Sequence, residues 1–351
     1  MIRGLQIGGD APVSIQSMTN IPIEDVDLTI NQIQNLYNQG ADLVRIAVKD
    51  LKSIEYLKKI RNGVAIPLSA DVHFNYKIAI KAIEAGIDKI RINPGNIGNP
   101  KNVNAVVSAA RASGVPIRIG VNGGSIDKSR YKEITPENLV NSAMDHIRIL
   151  EENNFFDIIV SIKSSDIFQT ITANRLFSSL KDYPLHIGLT EAGFGNSCIV
   201  QSSIAIGHLL LQGIGNTIRV SMTGDPIEEV VIAKKILESV GERISHIKII
   251  SCPTCGRTDP SINLLELAKR VEQEIESRFR GIIEEREKNL IVAIMGCEVN
   301  GPGEASHADV GVAGGKNGRM LLFSKGQKLK MIRINEVVDS LIYEIEKFIG
   351  M

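Results

Sequence analysis

Three of the four cysteines lie in two short segments of the last third of the chain, where their spacing could hold a metal cluster. The first segment carries Cys252 and Cys255 as a Cys-x-x-Cys turn, and the second carries Cys297, which Glu304 follows seven residues later. Each segment directly follows an apolar, β-branched run, which predicts that two strand ends bring the thiolates together. Two close thiolates and a distant third can bind three corners of an iron-sulfur cluster. The fourth corner would then be open to chemistry.

Two other interpretations of these cysteines stay open. A structural zinc site normally takes four Cys or His ligands, and the remaining candidates are Cys198, far away in sequence, and His307. A thioredoxin-like pair would stand at a helix N-terminus near a βαβ start, and it would leave Cys297 unexplained. Disulfides are disfavoured, because four cysteines in 351 residues without an apolar leader indicate a reducing compartment.

Composition and charge exclude several classes of protein. The chain has 40 Lys and Arg against 40 Asp and Glu, so it lacks the electrostatic signature of a nucleic-acid-binding protein. No apolar stretch approaches the length needed to cross a bilayer. A length of 351 residues predicts one large domain and a smaller one. We therefore expect a soluble, cytoplasmic protein that binds neither nucleic acid nor membrane.

Up to residue 243 the chain repeats one unit, a short β-branched strand followed by a polar turn and a segment of helical period. Eight strands are predicted, at residues 13–18, 43–48, 66–72, 89–93, 117–121, 158–163, 185–190 and 217–222. Eight such units predict a (β/α)8 TIM barrel over residues 1–243, although an open doubly wound sheet has the same periodicity. Residues 244–351 are expected to form a smaller α/β domain that carries the cysteines.

Charged side chains interrupt these predicted strands, although parallel strands are normally apolar because both of their faces are buried. Five basic residues are predicted to converge on one mouth of the barrel: Arg45, Arg91, Arg118, Lys163 and Arg219. Only Asp71 and Glu191 oppose them at the carboxyl ends of the strands. This surplus of positive charge predicts a ligand with several negative charges, most simply a diphosphate, because guanidinium groups match phosphate oxygens bidentately. For any single arginine, an internal salt bridge remains the alternative.

Four strings of the sequence are distinctive. They are Cys-Pro-Thr-Cys-Gly-Arg at 252–257, Met-Gly-Cys-Glu-Val-Asn-Gly-Pro-Gly-Glu at 295–304, Ile-Arg-Ile-Gly-Val-Asn-Gly-Gly-Ser at 117–125 and Thr-Glu-Ala-Gly at 190–193. Together they resemble the bacterial 4-hydroxy-3-methylbut-2-enyl diphosphate synthase family in its short, two-domain form. The resemblance implies reductive ring opening and dehydration of 2-C-methyl-D-erythritol 2,4-cyclodiphosphate in the non-mevalonate isoprenoid pathway. It further implies a [4Fe-4S] cluster, flavodoxin or ferredoxin as electron donor, and a homodimer in which each cluster domain caps the partner's barrel.

The resemblance also implies roles for individual residues. It makes Cys252, Cys255 and Cys297 cluster ligands with Glu304 as the fourth, and Glu191 the candidate for proton transfer. The implied substrate-binding residues are Arg45, Asp71, His73, Arg91, Arg118, Asn122, Lys163, Arg219 and Ser221. A carboxylate is a harder and more replaceable ligand than a thiolate, so Glu304 is also a candidate catalytic residue that could yield its position to substrate.

Two other functions stay open at this point. A barrel lyase or transferase for another phosphorylated or pterin-like substrate could carry a structural cluster. An iron-sulfur electron carrier or redox sensor could use the barrel only as a scaffold, but such a protein has no need for basic residues at the strand ends.

Overall fold

The computed structural model of the chain describes residues 1–127, 129–297, 303 and 307–351. These residues form two compact units, 1–243 and 244–351. Among the helices of the described residues, none is both long enough and apolar enough to cross a membrane.

The first unit is a barrel of parallel strands with helices on its outside. Its strands are β1 (Ser14–Met18), β2 (Leu43–Ala47), β3 (Leu68–Asp71), β4 (Lys89–Ile92), β5 (Ile117–Asn122), β6 (Ile158–Lys163), β7 (His186–Ile187) and β8 (Thr217–Ile218). Its helices are α1 (Val26–Asn38), α2 (Ser53–Gly63), α3 (Tyr76–Glu84), α4 (Pro100–Ser113), α5 (Pro136–Glu152), α6 (Ile167–Leu180), α7 (Gly195–Leu210) and α8 (Pro226–Val240). Strands β1 to β6 pair in sequence order, and β1 also pairs with β8, which pairs with β7. A parallel bridge between Val160 and Leu185 joins β6 to the segment entering β7 and closes the ring. The predicted (β/α)8 barrel is confirmed.

Local sequence signals begin and end the barrel helices. Thr135 accepts a hydrogen bond from the backbone of Asn138 at the start of α5, and proline occupies the first turn of that helix. Asp225 caps α8 in the same way. Gly114 and Gly241 end α4 and α8 in the left-handed conformation that glycine adopts without steric cost. These sharp ends keep most connections short, so the strands can close into a ring.

Strands β7 and β8 are shorter than the sequence predicts, with two residues each where six were expected. Gly188 directly follows β7 with φ of +152°, and a Cβ atom there would lie 2.3 Å from the carbonyl oxygen of Arg219. The backbone at Gly188 therefore leaves no room for a side chain beside Arg219. Leu189 and Val220 remain buried in the core although they lie beyond the paired residues.

The second unit is a five-stranded mixed sheet with helices on one face. Its strands are β9 (Ile247–Ser251), β10 (Leu290–Met295), β11 (Val310–Gly314), β12 (Arg319–Ser324) and β13 (Gln327–Arg333), and its helices are α9 (Leu264–Glu285) and α10 (Val337–Ile349). Strands β9, β10 and β11 run parallel, whereas β11, β12 and β13 form an antiparallel meander that ends at the sheet edge. The helices bury residues such as Ile275 and Leu341 against the sheet. On the opposite face, Met295 and Phe323 belong to a smaller apolar cluster.

Candidate functional site

The carboxyl ends of the barrel strands, which we call the mouth, carry a group of largely buried basic side chains. Arg45, Arg91, Arg118 and Lys163 lie within strands, and Arg219 directly follows β8. Side chains alternate along a strand, and in a barrel one of the two directions is the interior. The structure therefore brings together the five basic residues that the sequence singled out.

Asp71 is the carboxylate around which part of this group is ordered. Its Oδ1 lies 3.1 Å from Nη1 of Arg91 and 3.4 Å from Nε2 of His73, and its Oδ2 lies 3.6 Å from Nε of Arg45. His73 Nε2 in turn lies 2.8 Å from Nη1 of Arg91. Burial opposes ionisation of Asp71, but the hydrogen bond from His73 and the charges of Arg45 and Arg91 hold its pKa well below the usual range. For Arg45 and Arg91, the salt-bridge alternative thus applies.

The side chains of Arg118 and Lys163 form no hydrogen bond or ion pair with the residues that the structure describes, and both residues are at most 5% exposed. The buried Nε of Arg118 is without an acceptor among them. Burial lowers the pKa of Arg118, and the nearby charges of Arg45 and Arg91 lower it further. Burial likewise lowers the pKa of Lys163, followed by repulsion from Arg118 and Arg219. A buried cation without a counter-charge is costly, and a bound anion would remove that cost.

Arg219 has a partner that the sequence analysis did not identify. Its Nη2 lies 3.3 Å from Oε1 of Glu229, which also accepts a 3.0 Å hydrogen bond from the backbone of Met222. Glu229 is buried in the first turn of α8, on the same side as Ala233. In the sequence, Glu229 stands four positions before the apolar Ala233, and therefore on the same predicted buried face of the helix. This spacing is the signal that could have revealed Glu229 as a buried partner.

A second group of buried polar side chains lies deeper in the barrel. Lys89 is 0% exposed and donates a 2.8 Å hydrogen bond to Oε1 of Gln16. Burial lowers its pKa, and the charges of Arg118 and Arg45 add to this effect. The sequence analysis missed Lys89, although it lies two residues before Arg91 and so on the same face of β4.

His186 belongs to the same deep layer and is fully buried. Its Nδ1 lies 3.4 Å from Oγ1 of Thr217, and its buried Nε2 has no partner among the described residues. Burial and the charge of Lys163 lower its pKa, which favours the neutral imidazole.

The barrel interior therefore contains more basic than acidic side chains. Among the described residues, the six interior cations are Arg45, Lys89, Arg91, Arg118, Lys163 and Arg219. The described anions that pair with them are Asp71 and Glu229. A ligand carrying several negative charges would balance this excess.

The other residues predicted for the barrel site lie beyond the strand ends or at them. Asn122 ends β5 and stands opposite Lys163 in the register of β5 and β6. Ser221 lies three residues after β8, and its carbonyl oxygen accepts a weak hydrogen bond from the buried thiol of Cys198. Glu191 is exposed and has a φ of +55°. Left-handed backbone at a residue other than glycine carries strain, which occurs preferentially at functional sites.

In the second unit, Cys252 and Cys297 follow two neighbouring parallel strands. Ser251 stands opposite Ile294 in the register of β9 and β10, so the two cysteine segments leave the sheet at the same end. The backbone N–H of Gly296 donates a 3.2 Å hydrogen bond to Sγ of Cys252. The strand ends thus bring these segments together as the sequence predicts.

Cys255 is exposed, and its thiol lies beside Arg257. Hydrogen bonds from the backbone and the side chain of Arg257 lower the pKa of Cys255, and the same contacts, together with attraction by Cys297, raise the pKa of the guanidinium. A lowered pKa favours the thiolate, which is the form that binds metals. All four cysteines are free thiols.

These residues fit a cluster better than a single ion. Within the described part of the chain, no three His, Cys, Asp or Glu side chains are grouped so that they could hold one metal ion. Thiolates that bind different irons of one cluster lie farther apart than the ligands of one ion. Three free thiols on adjacent strand ends, one of which accepts an N–H hydrogen bond, match the donor set of an iron-sulfur cluster. Glu304, the predicted fourth ligand, lies outside the described residues.

Two protein-family models match most of the chain. The model of the GcpE TIM-barrel domain matches residues 1–234, and that of the GcpE protein C-terminal domain matches residues 248–347. A relative from Caldanaerobacter subterraneus subsp. tengcongensis, named 4-hydroxy-3-methylbut-2-en-1-yl diphosphate synthase (flavodoxin), is 48% identical over 99% of this chain and 96% of its own length. A relative of the same name from Clostridium tetani is 49% identical over 97% of this chain and 95% of its own length.

Among solved structures, the similarity extends to the barrel fold alone. Dihydropteroate synthase from Stenotrophomonas maltophilia, solved with imidazole bound in its active site, superposes with a TM-score of 0.50 at 15% sequence identity. The match covers 67% of this chain and 94% of that one.

Proposed function

The chain belongs to the GcpE family, and we propose that it catalyses the reaction for which its relatives are named. It converts 2-C-methyl-D-erythritol 2,4-cyclodiphosphate to 4-hydroxy-3-methylbut-2-enyl diphosphate in the non-mevalonate isoprenoid pathway. In this reaction the ring C–O bond at C2 and the C–O bond at C3 break, and a double bond forms between these carbons. Two electrons enter, and one oxygen leaves as water with protons from the solvent. The enzyme is therefore an oxidoreductase.

The observation that carries this proposal is the excess of buried cations at the barrel mouth. Arg118 and Lys163 are buried without a direct ion pair among the described residues, and the nearby positive charges outnumber the single opposing carboxylate that acts on each. This arrangement suits a diphosphate better than a neutral substrate. An electron carrier with a scaffolding barrel would have no use for such groups, because burying them costs stability.

The remaining residues of the mouth position these cations and complete the site. Asp71 holds Arg45, Arg91 and His73 in one hydrogen-bonded group, so their N–H donors are oriented before substrate enters. Asn122, Ser221 and Arg219 contribute further polar atoms at the strand ends. Glu191, exposed in its strained turn, relays a proton from the solvent to the departing oxygen.

In the second unit, Cys252, Cys255, Cys297 and Glu304 hold a [4Fe-4S] cluster. When bound, the cluster supplies the two electrons one at a time. Cys252 accepts the N–H of Gly296, and hydrogen bonds to sulfur are one of the features that set the reduction potential of such clusters. Flavodoxin, named for the relatives, or ferredoxin is the electron donor.

We further propose a cytoplasmic homodimer in which the cluster domain of each chain serves the barrel of its partner. Support comes from the place where the first unit ends. Arg243 donates to the carbonyl oxygen of Val13 at 3.5 Å and pairs with Asp42, which directly precedes β2. Arg243 thus lies at the amino ends of the strands, opposite the mouth. A head-to-tail dimer supplies a cluster to each mouth despite this exit point.

The reaction itself is tested with anaerobically reconstituted protein, the cyclodiphosphate and dithionite. Phosphorus NMR should show the cyclic diphosphate signals replaced by those of a linear diphosphate. Cys297→Ser should lose most of its iron, Glu304→Ala should keep most of its iron but lose much of its activity, and the control Cys198→Ser should retain both. Equal iron loss in the first two variants would contradict the distinct ligand roles.

The dimer is tested by combining defects. Glu191→Gln chains and Cys297→Ser chains are each expected to be inactive, but a mixed dimer unites one intact barrel with one intact cluster. Doubly tagged mixed dimers should recover up to about half of the wild-type activity, one site of two. A verified mixed dimer without activity above its parents would reject the shared site.

A further inference from the structure

The antiparallel hairpin of the second unit, together with the turn before it, carries only one sign of charge. Residues 316–333, which we call the basic hairpin, contain six basic and no acidic side chains. The basic residues are Lys316, Arg319, Lys325, Lys328, Lys330 and Arg333. All six are exposed, and none forms an ion pair with a described residue. The net charge of the whole chain is zero, so this is a local concentration of charge.

Two of these cations face each other at close range. Arg319 of β12 and Arg333 of β13 stand directly opposite in the antiparallel register, so both side chains lie on the same face of the sheet. Like charges in this arrangement are destabilising. Lysines on an edge strand protect it from pairing with other strands, which accounts for Lys328 and Lys330 but not for the arginine pair. An external anionic group between the two guanidinium groups would remove the repulsion.

The arginine pair borders a surface concavity. Its volume is about 830 Å³, and its lining includes Lys316, Arg319, Met331, Arg333 and Asn335. Met331 is 49% exposed. An adaptable apolar side chain surrounded by arginines is typical of protein–protein contact surfaces, in which Met and Arg are enriched.

The concavity lies at the end of the sheet where the cysteine segments emerge. Gly314 ends β11, and a Cβ atom there would lie 2.2 Å from the carbonyl oxygen of Gly296 and 3.2 Å from the backbone nitrogen of Cys297. On the next turn, the backbone N–H of Gly318 donates a 3.0 Å hydrogen bond to Oδ2 of Asp259, four residues beyond Cys255. The first turn of the basic hairpin is therefore hydrogen-bonded to Asp259, just beyond the first cysteine segment, and the end of β11 before it contacts the second cysteine segment.

We propose that this concavity is the docking face for the electron-donor protein, which meets it with an acidic surface around its own redox centre. The inference rests on the proposed function, because only a reductive reaction needs such a donor. Two reduced donor molecules dock in turn for each product formed, and each loses one electron. The adjacent cations bind the acidic surface, and the contact of Gly314 with the Cys297 segment keeps the path to the cluster ligands short.

The test reverses two charges of the concavity. In Lys316→Glu/Arg333→Glu, the new carboxylate opposite Arg319 relieves the cross-strand repulsion, so the fold should be retained. Lys58→Glu/Lys59→Glu, at exposed positions of α2, is the matched control because it changes the net charge equally. Calorimetric titration with purified flavodoxin at low salt should show about a tenfold or greater rise in Kd for the hairpin variant and little change for the control. Added salt should weaken wild-type binding more than binding by the hairpin variant.

Turnover assays with two different reductants distinguish a failure of this inference from a failure of the proposed function. With flavodoxin as donor, the hairpin variant should show a raised KM for flavodoxin, whereas dithionite should drive it at the wild-type rate. Equal Kd values of wild type and hairpin variant for flavodoxin would overturn the proposed docking face. Tighter binding of a single-stranded oligonucleotide than of flavodoxin at the concavity would overturn it as well. Absence of product with either reductant would instead overturn the proposed function, and the titration would still decide whether the concavity binds the donor.

Discussion

The two ends of the barrel use charge in opposite ways. At the amino ends of the strands, buried or half-buried arginines meet carboxylates: Arg61 lies 2.6 Å from Asp88, and Arg243 pairs with Asp42. These carboxylates also accept backbone N–H groups of neighbouring strands, from Leu68 at 2.8 Å in the case of Asp88. At the mouth, five buried or half-buried cations share two carboxylates, Asp71 and Glu229, among the described residues.

The paired cations at the amino ends therefore stabilise the fold, whereas the unpaired cations at the mouth serve to bind a ligand. A buried arginine with its carboxylate and carbonyl partners holds loop and strand together, and its removal leaves those partners unpaired. A buried cation without a partner destabilises the protein until a ligand arrives, and its removal affects the ligand. The same residue type therefore predicts different consequences at the two ends.

The largest effect on stability is expected at the amino end. Arg61→Met removes the ion pair with Asp88 and hydrogen bonds of 2.9 Å and 2.6 Å to the carbonyl oxygens of Ile66 and Val64. The unfolding free energy from urea titration should fall by about 3–5 kcal/mol, the usual cost of breaking a buried pair. Arg3→Met, which removes a half-exposed cation 3.5 Å from Asp88, is the control and should cost less than about 1 kcal/mol. If folded Arg61→Met bound the cyclodiphosphate more weakly than the wild type, the distinction between stabilising amino ends and a ligand-binding mouth would be wrong.

A smaller effect, on binding instead of stability, is expected at the mouth. Arg118→Met should weaken cyclodiphosphate binding by about 2–4 kcal/mol in calorimetry, because it removes a buried charge-assisted contact. Its unfolding free energy without ligand should equal or exceed that of the wild type, since an unpaired buried charge is removed. If Arg118→Met bound the cyclodiphosphate as tightly as the wild type, or lost as much unfolding free energy as Arg61→Met, Arg118 would have a structural role instead.

The smallest effect concerns pH. Burial lowers the pKa of Lys163 in the folded barrel below its ordinary value of 10.5, so the unfolded chain binds more protons in the interval between the two pKa values. Stability without ligand should therefore rise with pH through that interval. In urea titrations at several pH values, Lys163→Met should flatten this rise, whereas the exposed control Lys58→Met should not. Parallel curves for wild type and Lys163→Met would show that Lys163 is not destabilised by burial.

Much of this arrangement can be predicted from sequence, because parallel strands leave a strong pattern. The β-branched runs locate all eight barrel strands, and a basic residue inside such a run is conspicuous at once, as with Arg118 in β5. The adjacency of the two cysteine segments follows from the same reasoning, since parallel strands that pair in register end together.

The partners of the charges are harder to predict. Whether Arg219 is paired depends on Glu229, and that contact depends on the rotation of α8 about its axis. Lys89 begins its strand, where a lysine normally marks a solvated boundary, and only the closed ring turns it inward. The end of β7 is likewise hard to predict, because Gly188 with its φ of +152° lies against Arg219, a contact between segments about thirty residues apart.

The ring is also uneven around its circumference. Strands β5 and β6 are in register from Ile117 to Asn122, whereas β6 meets the β7 segment through one bridge between Val160 and Leu185 and a 3.2 Å hydrogen bond from the backbone of Thr190 to that of Ser164. Elements with few backbone hydrogen bonds open locally at lower free energy than the rest of a fold. Amide hydrogens along this seam should therefore exchange with deuterium sooner than those of β5. Lys163 ends the strand on one side of the seam. Local opening of this part of the barrel wall would therefore involve the strand that carries an unpaired cation of the site.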